Sequence, residues 1–199
     1  MSDLLSGLMN QFGGDALSQI SKSIGSDEKS TQAALGSVLP VLVSALAKNA
    51  STPEGAVKLS NALAKDHDGG VLDNLSGFLG GGSAEGMGSS ILNHVLGGKT
   101  SAVENALSQQ TGMDSSAISS IIKMAAPVVM GYLGKQNSAL GSNSNGLSSL
   151  LDEAVTSNKS NAPEGQNFIE NLLDQNNDGN VMDDVTKLGM SFLGNMFKK

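Results

Sequence analysis

The sequence predicts an all-α fold, a tandem-duplicated helical bundle with pseudo-symmetric halves, and three observations predict it. Apolar residues recur at three- and four-residue spacing through most of the chain, the pattern of a helix with one buried face. Aromatic residues make up 3% of the 199 residues, with one Tyr and no Trp, while 25 Gly and 9 Met accompany abundant Ala, Ser and Leu. Strand formers are scarce, and Met fills irregular gaps between helices. The chain also repeats itself: Pro53-Glu54-Gly55, Asn61, Leu63, Asp68-Gly69, Val71 and Asp73 return as Pro163-Glu164-Gly165, Asn171, Leu173, Asp178-Gly179, Val181 and Asp183, at a constant offset of 110. A gapless repeat of this kind makes the repeat unit the object to interpret.

The elements follow in order. Leu4, Leu5, Leu8, Met9 and Phe12 form a first helical stripe, which Gly13-Gly14 ends. Asp15 opens a short helix with Leu17, Ile20 and Ile24 on one side, and Gly25 is its natural terminator. Asp27 caps a longer helix of about 28 to 48, apolar on nearly all faces and therefore central, which Pro40 should kink. Val71, Leu72, Leu75, Phe78 and Leu79 give an amphipathic helix after the loop at 66 to 74, and the glycine-rich GGGSAEGMG at 80 to 88 reads as a flexible linker. The second copy opens around Ile91, Leu92 and Val95. Gly112, Asp114, Pro127, Val128, Leu133 and Lys135 then stand where Gly25, Asp27, Pro40, Val41, Leu46 and Lys48 stood, at an offset of 87. The rise in offset from 87 to 110 places an insert at about 137–159, a Ser/Asn/Gly loop followed by a helix with Leu147, Leu150, Leu151 and Val155. Repeat one thus spans 1–80, the linker 81–90 and repeat two 91–199. Two helices apolar all round cannot be covered by the few helices of one half, so both repeats should pack as one domain through Val38, Leu39, Val41, Leu42, Val128, Val129 and Leu133. The last helix, with Val185, Leu188, Phe192, Leu193 and Met196, has a second apolar edge at Met190 and Phe197 and suggests a homodimer contact.

Several motifs taken together, Thr52-Pro53-Glu54-Gly55, LAKDHDGGVLDNL (63 to 75), ILNHVLGG (91 to 98), MAAPVVMGYLGKQ (124 to 136) and LLDQNNDGNVMDDV (172 to 185), resemble the bacterial domain of unknown function family 937. The resemblance covers nearly the whole chain and extends distantly to YidB-like helical proteins. It implies an all-α fold and bacterial origin, with no assigned activity. The insert at 137–159 is longer than the family's usual connector.

The acidic loops are the site-like features. Calcium takes about six to eight oxygen ligands, which a loop can supply from alternate positions with a Gly at the sixth. Asp174, Asn176, Asp178, Gly179 and Asn180 fit positions 1, 3, 5, 6 and 7. Val185 stands where a bidentate carboxylate belongs, so Asp183 and Asp184 would substitute for it. Repeat one has Ala64 at position 1 and offers a weaker set in Asp66, Asp68 and Asp73. The ion-free alternative is that Asp-Gly makes a tight turn and the following Asp sits in a helix's first turn, where the dipole favours it by roughly 0.3–1 kcal/mol.

Other chemistries find little here. A net charge of -7 and no Lys/Arg cluster argue against nucleic acid, and a helix-turn-helix across Leu17 to Leu42 would present a recognition helix with no Arg or Lys for base edges. There is no Cys, and His67 and His94 lie in different elements, so zinc ligation lacks its donors. No G-x-S-x-G elbow and no phosphate-binding GK[ST] ending occur. The N-terminus carries an acidic Asp3 and no basic region, so the cytoplasm is the default compartment. The apolar stretches around 33 to 47 and 117 to 133 are interrupted, so no transmembrane segment is expected. The resulting expectation is a non-enzymatic bacterial structural or interaction protein with a candidate calcium loop at 174–184. The alternative is a lipid or apolar-ligand binder using Met124, Met130, Met190 and Met196.

Overall fold

Left-handed glycines and polar caps divide the chain into helices. The computed structural model describes residues 3–161 and residue 173. In it α1 (Asp3–Gln11), α2 (Asp15–Ile24), α3 (Glu28–Asn49) and α4 (Pro53–Asp66) are followed by a 3-10 turn (Gly70–Asn74), α5 (Leu75–Gly80) and α6 (Ser83–Val95). A second 3-10 turn (Gly97–Lys99) leads to α7 (Thr100–Thr111), α8 (Ser115–Ala139) and α9 (Ser144–Asn161). The fold is all-α, with no strand among the described residues.

Gly25 ends α2 at φ 66°, its N–H reaching the Lys22 and Ser21 carbonyls, and Gly112 ends α7 at φ 72°. Asp27 then caps α3, its carboxylate accepting from the Ser30 amide at 2.9 Å and the Ser30 hydroxyl at 2.6 Å, which holds its carboxyl below the usual range. Asp114 occupies the same place before α8. Thr52 Oγ1 accepts from the Gly55 amide at 3.1 Å and Pro53 fills the first turn of α4, where a missing N–H costs nothing.

The core is built on α3 and α8. Every residue of α3 from Val41 to Ala47 is buried, as is every residue of α8 from Met124 to Gly131, so neither helix keeps a polar face over its middle. Val38, Leu39, Val41, Leu42, Val128, Val129 and Leu133 all belong to one buried cluster, as the sequence leads one to expect. The covering is reciprocal: α1 and α2 pack on α3 and also touch α8, while α6 and α7 pack on α8 and also touch α3. By length and composition α3 and α8 are also long and apolar enough to cross a membrane, despite the Gly, Ser, Pro and Lys that interrupt them; 67% and 72% of their most apolar windows are buried in this fold.

Pro127 lies inside α8 and removes the amide that would bond the Lys123 carbonyl. That carbonyl is where α6 comes closest, for a Cβ at Gly88 would collide with the Lys123 oxygen. The glycine brings its Cα–H against an oxygen that the proline has freed, a weak but favourable contact. Pro40 frees the carbonyl of Gly36 in the same way, but Gly36 is exposed and has open space around it.

Three expectations need correction. The tract at 80 to 88 is no flexible linker: Gly82, at φ 74°, turns the chain and α6 begins at Ser83, with Ala84, Gly88, Ile91 and Leu92 buried on one side. Glycine serves close approach there. The Ser/Asn/Gly stretch of the insert is also mostly helical, because α8 runs on to Ala139 and α9 starts at Ser144, leaving a short turn through Gly141 at φ 68° and Ser142 at φ 56°. Leu147, Leu151 and Ala154 then seat α9 on α3 and α4. Finally, the stretch after the first acidic loop is a 3-10 turn before α5, since Asn74 accepts from the Gly77 amide at 3.3 Å and restarts the helix.

Gly36→Ala should raise stability by up to ~1 kcal/mol, the ordinary helical gain, whereas Gly88→Ala should lower it because the new methyl meets a backbone oxygen. Chemical denaturation of both variants checks this opposition of sign.

Candidate functional site

The acidic loop at 66 to 74 is pressed onto α8 by contacts that require glycine on both sides. A Cβ at Gly134 would strike the His67 carbonyl oxygen, and one at Gly131 would strike Val71. Gly69 adopts φ 101°, and a Cβ there would meet the Lys135 side chain and the Gly131 carbonyl. The loop backbone therefore lies directly on the helix backbone.

The polar groups complete this seat. Asp68 Oδ1 accepts from the Gly70 amide at 3.0 Å, closing an Asx turn, and the Leu72 amide donates to the Gly69 carbonyl at 3.0 Å. Lys135 Nζ donates to Asp73 Oδ1 at 3.2 Å, both side chains being largely exposed. Upstream, Ser60 Oγ donates to Asn137 Oδ1 at 3.0 Å and Asn137 Nδ2 donates back to the Ser60 carbonyl at 3.2 Å, a buried pair that ties α4 to α8. His67 is half-buried between them, and desolvation pulls its imidazole below the usual value of 6.5 against the opposing pull of Asp66.

Of the weaker calcium set, Asp68 and Asp73 are thus turned to the Gly70 amide and the Lys135 ammonium. No three His, Cys, Asp or Glu side chains gather into a metal-binding group among the described residues. His94 is on the exposed side of α6, its Nδ1 2.8 Å from the Ser90 carbonyl. The stronger set, Asp174, Asn176, Asp178, Asn180, Asp183 and Asp184, lies outside the described residues, as do Met190, Met196 and Phe197.

A second polar feature escaped the sequence reading. Lys48 at the end of α3 and Lys99 before α7 both donate to the carbonyl of Leu173, at 3.1 and 2.7 Å. They line a groove of about 330 Å³ with Ala45, Asn49, Leu96 and Leu173 itself. Lys99 is buried with its head group on a carbonyl, and Leu173 is buried too. No local motif signals it, because Lys48, Lys99 and Leu173 are far apart in the sequence.

A family model described as a bacterial protein of unknown function (DUF937) matches residues 6–136, which takes in the seated loop, Lys135, Lys48 and Lys99 but stops short of α9 and the loop at 174–184. No curated protein and no solved structure matches.

Gly134→Ala should destabilise the protein, although Gly to Ala within an unobstructed helix stabilises it by ~1 kcal/mol; a lowered denaturation midpoint is the expected reading. His67 gives a pH dependence whose sign follows from its lowered value. The unfolded chain binds the proton more tightly, so the stability associated with neutral His67 is complete above about pH 6.5 and is lost as the pH falls below that value. Wild type and His67→Gln, melted across the acidic side of pH 6.5, should converge as the pH rises and diverge as it falls, with the wild type losing more.

Proposed function

We propose that this chain, which belongs to the DUF937 family of bacterial proteins of unknown function through its match over residues 6–136, is a non-enzymatic structural or interaction protein. The observation that supports this reading best is the use of the acidic loop. Gly69 lies against Gly131 and Lys135 of α8, Asp68 closes a turn and Asp73 meets Lys135, so these two carboxylates of the weaker calcium set serve to attach the end of α4 to α8. A loop spent on internal attachment fits a module whose outer surfaces, rather than this loop, meet a partner.

Within this reading calcium is a candidate ligand of 174–184 only. That loop has the oxygen donors at alternate positions that the repeat-one loop lacks, beginning with Asp174 in place of Ala64. Binding of lipid or an apolar small molecule is the second reading; α3 and α8 have the apolar length for it, but 67% and 72% of their most apolar windows are buried in this fold. It gains little from Met124 and Met130, which are buried in the core, or from the cavity beside Met130, which at about 10 Å³ is close to the minimum for one water.

Calcium at a hundredfold excess over its dissociation constant adds ~2.7 kcal/mol to stability. A thermal melt in calcium should therefore exceed one in chelator, with the difference abolished by Asp174→Ala or Asp178→Ala and unaffected by Asp66→Ala. Equal melts in calcium and chelator would remove the ion from the proposal and leave the interaction reading standing.

A further inference from the structure

We infer that the Asn145-Gly146 step in the first turn of α9 is a self-modification site: the Gly146 amide nitrogen attacks the Asn145 side chain, ammonia leaves, and water opens the resulting succinimide to aspartate or isoaspartate, at a rate governed by the Asn143 cap. The inference goes beyond the proposed function, since it needs no ligand and no partner. Water is the co-reactant that balances the step. A bond forms between Gly146 N and Asn145 Cγ as the bond from Cγ to Nδ2 breaks, and the amide proton leaves with the ammonia. Hydrolysis at either ring carbonyl then restores an open chain, with nothing oxidised or reduced.

The sequence contains one Asn-Gly step, and a glycine, with no Cβ, leaves the attacking nitrogen unhindered. Asn145 is exposed, so water reaches its side-chain amide and ammonia can escape. The Gly146 amide also stands outside the helical ladder, because α9 starts at Ser144 and the first amides of a helix have no intrahelical carbonyl to bond. Its acceptor is Asn143 Oδ1 at 3.4 Å, longer than the 3.0 Å from the Asn145 amide to the same oxygen and beyond the usual N–H···O range. A helical backbone holds the Asn145 side chain away from the following nitrogen, so the reaction waits for the turn to open. Helix ends are where such opening costs least. Nearby asparagines lack this combination: Asn137 is buried with its amide bonded both ways to Ser60, and the Asn143 oxygen is committed to the cap. The two products differ in consequence. Aspartate at 145 puts negative charge where the helix dipole favours it, whereas isoaspartate adds a methylene to the main chain just before Leu147, which is fully buried where α9 packs on α3 and α4. Isoaspartate formation therefore loosens the attachment of α9 as the chain ages.

The test ages the full-length protein in mildly alkaline native buffer and follows the peptide between Lys135 and Lys159 by fragmentation mass spectrometry, which locates a gain of one mass unit and separates aspartate from isoaspartate. Conversion at Asn145 should run well ahead of that at Asn137, Asn143 and Asn158. Asn143→Ala removes the cap and should speed it by about 2- to 30-fold, the range that the contribution of a helix cap to turn stability implies, while Asn143→Asp keeps a cap and should react near the wild-type rate. Gly146→Ala should react far more slowly; its Cβ would meet Leu140 Cδ1 at 3.5 Å, an ordinary contact, so the variant folds. In denaturant the wild type and Asn143→Ala should react alike, which ties their native difference to the cap. Conversion at Asn145 no faster than at Asn158 overturns the inference, as does a native Asn143→Ala rate equal to that of the wild type or a difference between them that persists in denaturant.

Discussion

The contact of α3 with α8 is the constraint on which the other elements depend. An amphipathic helix can rest on a core with one side in water, but these two are buried all round over their central turns and must be enclosed. The remaining helices are short, and each has one apolar stripe, so several are needed to close the sheath. That requirement explains the reciprocal arrangement of α1 and α2 with α6 and α7, and the placement of the insert helix α9 over α3 and α4. It also explains the composition. With 5 Phe, one Tyr and no Trp, the core is filled by many small and medium side chains, and the spacing of helices is set by glycine and alanine rather than by aromatic rings.

Glycine has two different uses here, and sequence separates them poorly. At Gly25 and Gly112 the left-handed backbone ends a helix, and the following Asp starts the next one. That signal is local and was legible, together with the apolar stripes, which is why the helices around 15–24 and 28–49 and the shared core could be read directly. Gly88 and Gly134 sit inside helices and make room for the backbone that lies against them, and Gly131 makes room for the Val71 side chain. Nothing in the neighbouring residues announces such a contact, because the partner is distant in sequence: Lys123, His67 and Val71 respectively. The same blindness turned the start of α6 into an expected linker and part of the insert into an expected loop, for in both cases tertiary burial overrode a composition rich in Gly, Ser and Asn.

The candidate site was legible in a different measure. The acidic motif was found because it recurs, but its chemistry is decided by side chains that the motif does not contain. Lys135 and the two glycines of α8 turn the loop at 66 to 74 into an attachment point, and Lys135 is distant from that loop in the sequence. A loop pattern alone could equally describe an oxygen cage or a turn.

A lysine and a calcium ion are alternative solutions to one electrostatic problem. Acidic residues crowded after an Asp-Gly turn repel one another, and a cation of either kind relieves that repulsion. In repeat one the relief is an exposed ion pair, of the sort that contributes about 0–1 kcal/mol, while the firm attachment comes from backbone contact at Gly131 and Gly134 and from the buried Ser60–Asn137 pair. Lys135 therefore orients the loop more than it holds it. Had the loop instead evolved to close around a metal, an ammonium beside one of its few carboxylates would repel the ion and occupy a ligand. The position of the lysine thus makes the loop at 66 to 74 a packing device first.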